Sequence, residues 1–94
     1  MWACTTEGVV EELLRALNKR RPEEYRFHVF SVDEDEDGVY VTLKGPSGLD
    51  SEDLSEAARV LEPCGARVTY FEVDVDEGEL VVTLSVERPR QRKG

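Results

Sequence analysis

The sequence predicts a two-layer α+β sandwich, with two helices on one four-stranded, mainly antiparallel sheet in the order αββαββ. Three observations predict it. Residues 11–43 fall on residues 52–84 without a gap when moved 41 positions along the chain, and 13 of the 33 aligned pairs are identical, where unrelated segments would share about two or three. Within each copy the apolar spacing changes from helical to alternating, the mark of a helix followed by strands. Acidic, glycine-containing turns then divide the strand region of each copy in two, as a hairpin requires. Two packed layers are the stable way to bury one face of such a sheet. Moving the first strand of a ferredoxin-like sandwich to its end produces this order, with residues 39–44 and 79–87 as the central strands.

Residues 6–21 read as the first helix. Val9, Val10, Leu13, Leu14 and Leu17 recur at helical spacing, Thr5 or Thr6 can cap its start, and Pro22 stops it. Lys19, Arg20 and Arg21 fall in its last turn, where cations complement the helix dipole. Residues 25–33 alternate as a strand, Asp33–Gly38 is a turn, and Val39–Lys44 is a second strand. Gly45–Gly48 joins the copies. Asp50 is placed to cap the second helix, with Asp53 three residues on and Leu49 and Leu54 positioned as a hydrophobic staple. That helix ends at Pro63, followed by strands over 66–75 and 79–87 around a turn at Asp76–Gly78. The 94 residues form one domain, with repeats over about 6–44 and 49–87 and a basic tail, 88–94, that reads as disordered.

Alternation sorts the strand residues into two faces. Phe30, Val32, Val39, Val41 and Leu43 match Phe71, Val73, Leu80, Val82 and Leu84 in the second copy and belong under the helices, with His28 on the same side by parity. The opposite face then carries Phe27, Val29, Tyr40, Val68, Tyr70 and Val81, more apolar area than a solvated face commonly shows. The resulting expectation is a non-enzymatic protein–protein interaction module that forms a homodimer, or docks a protein partner, through this outer face. A single bulge in a strand would exchange the faces locally.

Two other chemistries have some support. The run Asp33, Asp35, Asp37, Gly38 matches the opening of a calcium-binding loop. The position where that loop needs a bidentate acid is Lys44, however, and the flanks read as strands rather than helices. An acidic hairpin tip shaped by Asp and Gly turn geometry explains the same residues. Aromatic side chains on a sheet can stack bases, and Lys19, Arg20, Arg21, Arg88, Arg90, Arg92 and Lys93 could contact phosphates. The net charge of −9 opposes this, and without the tail's four cations 8 basic and 21 acidic residues remain, a net charge of −13. No reaction is nominated: His28 is the single histidine, and no phosphate loop, nucleophile elbow or metal-spaced Cys/His set occurs. No apolar run reaches the ~20 residues of a membrane span, and the N-terminus lacks the pattern of a secretory signal. These features predict a cytoplasmic protein without a cofactor, with Cys4 and Cys64 as reduced thiols.

Overall fold

The computed structural model describes residues 5–46 and 48–87. Its elements are α1 (Thr6–Asn18), β1 (His28–Glu34), β2 (Gly38–Gly45), α2 (Ser51–Leu61), β3 (Arg67–Asp76) and β4 (Glu79–Glu87), with single 3₁₀ turns at Glu23–Tyr25 and Glu62–Cys64. The sheet order is β1-β2-β4-β3 with every neighbouring pair antiparallel. This is the order expected after moving the first strand of a ferredoxin-like sandwich to the end, and the two predicted central strands are central. Thr42 opposes Thr83, and these two are equivalent positions of the repeat. The local two-fold relation between the copies therefore passes through this pair.

Local chemistry sets the element ends. Thr5 Oγ1 accepts from the Gly8 N–H at 2.9 Å and caps α1. Asp50 and Asp53 form a reciprocal capping box at the start of α2: Asp53 N–H donates to Asp50 Oδ1 at 2.9 Å, and Asp50 N–H donates to Asp53 Oδ2 at 3.2 Å. α1 ends at Asn18, three residues before the predicted end, so Lys19, Arg20 and Arg21 lie beyond the helix. Asn18, its last residue, bonds to the segment that follows. Its amide donates to the Phe27 carbonyl at 3.0 Å and accepts from the Phe27 N–H at 2.7 Å, holding the entry to β1 against the helix end.

Apolar burial joins the layers. Val9, Leu13 and Leu17 of α1 and Ala57 and Leu61 of α2 pack on Val39, Val41 and Leu43 of β2 and Val82, Leu84 and Val86 of β4, all essentially inaccessible. Fully burying a side chain of this size contributes about 1.5–3 kcal/mol. Cys64 lies at the edge of this cluster and is disulfide-bonded, against the expectation of a reduced thiol; Cys4 lies outside the described residues, as does the tail 88–94.

Two irregularities change the predicted faces. Both edge strands carry a register shift, between Val29 and Ser31 in β1 and between Val68 and Tyr70 in β3. In repeat numbering the two bulges are offset by two residues. Phe30 and Phe71, identical in the repeat, consequently have different surroundings. Phe71 opposes Leu84 and packs on the core, whereas Phe30 is 61% exposed with the Lys44 ammonium 4.2 Å from its ring centroid.

The turn between β3 and β4 has positive φ at both central residues, 51° at Glu77 and 81° at Gly78, the geometry of a two-residue hairpin loop that suits Asn-Gly or Asp-Gly. Gly38 is tied to a close approach: a Cβ there would stand 2.1 Å from the Val86 carbonyl oxygen. Opposite outcomes are expected in thermal unfolding. Glu77→Asn raises the melting temperature, because Asn tolerates left-handed backbone better. Gly38→Ala lowers stability by about 1–3 kcal/mol, because β2 must move away from β4.

Candidate interaction surface

The outer sheet face is built by alternation from the register. Directly opposed residues share a face, and β2 defines which: Val39, Val41 and Leu43 are buried under the helices, so Tyr40, Thr42 and Lys44 point outward. Their partners on β4 are Ser85, Thr83 and Val81. On β1 the outward positions are His28 opposite Lys44, Ser31 opposite Thr42 and Asp33 opposite Tyr40. On β3 they are Arg67, Tyr70, Glu72, Asp74 and Asp76.

Three of the six residues expected on this face are elsewhere. Phe27 precedes β1 and is 3% exposed in the core. Gly45 leaves room for its ring, which a Cβ there would approach to 2.6 Å, and the Arg21 guanidinium lies 5.0 Å over the ring centroid. Val29 opposes Leu43 and Val68 opposes Val86, which places both on the helix side. In each case the displaced residue lies at or before a bulge, beyond which strict alternation resumes. Tyr40, Tyr70 and Val81 remain outward and Phe30 joins them. His28, expected on the core side, lies outward for the same reason. The face is therefore mixed rather than apolar: aromatic and valine side chains among hydroxyls, with Asp33, Glu72, Asp74, Asp76 and Glu87 against Lys44 and Arg67.

The two outward tyrosines are tied to acids. Tyr40 donates its phenol hydrogen to Asp35, and Tyr70 donates to Glu72. Each hydrogen bond, helped by the neighbouring negative charge, raises the phenol's pKa. Asp35 also organises its own turn, accepting from the Asp37 N–H at 2.8 Å and the Gly38 N–H at 3.0 Å. Hairpin geometry thus accounts for Asp35. Asp33, Asp35 and Asp37 do not converge: among the described residues no group of three or more His, Cys, Asp or Glu is placed to hold a metal ion.

The basic cluster after α1 lies along the helix layer, with Arg21 enclosed and Lys19 and Arg20 exposed. Arg21 Nη2 donates to Asp53 Oδ2 at 2.7 Å and to the Gly48 carbonyl at 2.8 Å, while its Nε donates to the Leu17 carbonyl at 2.7 Å. Arg20 pairs with Glu52 at 2.5 Å and Lys19 with Glu56 at 3.3 Å. These pairs line an open groove of about 460 Å³ between the helices. The three cations expected to meet phosphates are thereby engaged with acids of α2. Sequence reasoning treated the cluster as a helix end and missed its pairing, although the acids at 52, 53 and 56 opposite three successive cations are the signal that could have found it.

The Arg21–Asp53 pair is the most enclosed ion pair of this seam, with side chains 14% and 10% exposed. Asp53→Ala is expected to cost about 3 kcal/mol in chemical denaturation, because it leaves a nearly buried guanidinium without its carboxylate and opens the capping box. Lys19→Ala, at an exposed pair, is expected to cost less. The seam also predicts a pH dependence. The Asp53 backbone N–H holds the Asp50 carboxyl below the usual range, and hydrogen bonds from Arg59, then Lys19, do the same for Glu56. A carboxyl with a lowered folded-state pKa contributes stability above its unfolded pKa and loses it as pH falls through the folded value. The melting temperature should hold from neutral pH down to about 5 and decline below about 4, and the difference between wild type and Glu56→Gln should shrink across that decline.

Comparison of the chain with protein-family models, curated proteins and solved structures gave no match.

Proposed function

We propose that this domain is a non-enzymatic docking module that binds a separate protein partner through the outer face of its sheet. The observation that carries the reading is the outward set Phe30, Tyr40, Tyr70 and Val81, spread over all four strands of a face that no described element covers. Phe30, Tyr40 and Tyr70 are 61%, 41% and 50% exposed. Aromatic side chains with a polar tip are favoured anchors for protein contacts. The acids around them favour a partner with positive charge over a second copy of the same face, since stacking two such faces brings like charges together. The same acids, with Lys19, Arg20 and Arg21 engaged in ion pairs, disfavour stacking of nucleic-acid bases on the tyrosines.

The purified chain is expected to sediment as a 10.6 kDa monomer. In capture experiments the double variant Tyr40→Glu/Tyr70→Glu should lose the partner retained by wild type, while Glu24→Gln, away from the face, should keep it. A dimer that the double variant dissociates would redirect the reading to self-association. Equal capture by wild type and double variant would remove the outer face from consideration.

A further inference from the structure

The free edge of β3 combines three properties. Among the described residues the strand pairs only with β4, so its other side presents backbone groups to which none of them adds a ladder partner. Its outward positions after the bulge read Tyr70, Glu72, Asp74 and Asp76, and its helix-side positions read Phe71, Val73 and Val75. Successive carboxylates on one face are thus spaced about 7 Å apart. Val73 and Val75 are 42% and 65% exposed, because the helices cover the central strands and leave this part of the edge bare. The Val75 N–H donates to Asp74 Oδ1 at 2.8 Å, which directs that N–H away from β4 and toward the open edge. By the alternation of an antiparallel ladder, Val73 offers its backbone groups to the same side.

The other edge differs. On β1 the acids Asp33 and Glu34 are adjacent and fall on opposite faces, and Glu34 accepts a hydrogen bond from the Thr6 hydroxyl, so α1 fastens the end of that strand.

We propose that the β3 edge is a strand-addition site for an extended segment with lysine or arginine at every second position and apolar residues between them. Such a segment places its cations beside Glu72, Asp74 and Asp76 and its apolar side chains beside Phe71, Val73 and Val75 while its backbone continues the ladder. A cation at Asp74 draws the carboxylate away from the Val75 N–H and releases that donor to the incoming strand. A second copy of β3 does not fit. Antiparallel registers centred on Glu72, Val73 or Asp74 set acid against acid, and directly opposed like charges are destabilising. The edge shares Glu72, Asp74 and Asp76 with the outer face but engages the β3 backbone and the helix-side valines instead of Tyr40, so each reading can fail alone.

The test uses the full chain and two peptides of about nine residues, one alternating lysine and valine, the other with the same composition in two blocks. Titration calorimetry should show the alternating peptide binding at least about tenfold tighter, with slowed hydrogen exchange at the Val73 and Val75 amides. Asp74→Lys should weaken it at least about tenfold. Val75→Pro, which removes an edge-facing donor at a position where proline is tolerated, should abolish it. If Val75→Pro does not fold, the Asp74→Lys result and the amide protection decide. Glu24→Gln, away from both surfaces, should leave the affinity unchanged. Equal binding of the two peptides, binding insensitive to Asp74→Lys, or binding without protection at Val73 and Val75 would overturn the proposal.

Discussion

The pairing of β2 with β4 is the constraint on which the rest of the structure depends. It joins the two copies, and its helix-facing residues, Val39, Val41 and Leu43 against Val86, Leu84 and Val82, are almost completely buried. Each helix finds its apolar surface here, and each outer strand is held in place by one of these two. The ladder also defines outward and inward for the whole sheet, because a strand pinned by burial on one face cannot slip by a single residue without turning its apolar set to water.

Control weakens with distance from that ladder, and so does what can be read from the sequence. The central strands, the element order and the capping residues of both helices follow from local pattern, since burial and backbone chemistry at those points leave one solution. The edge strands are different. With only one neighbour and little helix above them, they tolerate an extra residue, and each takes one at a different repeat position. Alternation cannot reveal a bulge, because the sequence on either side remains a good strand. Phe27 shows a second limit. Its burial is secured by Asn18 on its backbone, Arg21 over its ring and the bare Cα of Gly45, residues 6 to 18 positions away that no periodicity links. Half of the outer-face residues were therefore legible, those on or beyond the regular part of the ladder, and the rest were displaced by these two effects.

The charges are arranged by the same architecture. Cations following α1 meet acids of α2, and Glu52 and Asp53 among these lie in its first turn, so the pairs complement both helix ends and concentrate most of the paired charge on the helix side. The outer face and the β3 edge keep an excess of carboxylates, some turned to local use as acceptors for Asp37, Gly38 and Val75 N–H groups or for the phenols of Tyr40 and Tyr70. A carboxylate used this way holds a turn or strand in shape and discourages unwanted edge pairing.

The opposition of Thr42 and Thr83 has a thermodynamic consequence. A lone αββ unit could complete this ladder only by meeting a second copy, and its folded population would fall on dilution. Carrying both units on one chain makes the encounter intramolecular, so the fold keeps its stability at any protein concentration. It also releases each half from the requirement that every substitution be made twice. The offset bulges, with Phe30 outward and Phe71 inward, are what that release permits.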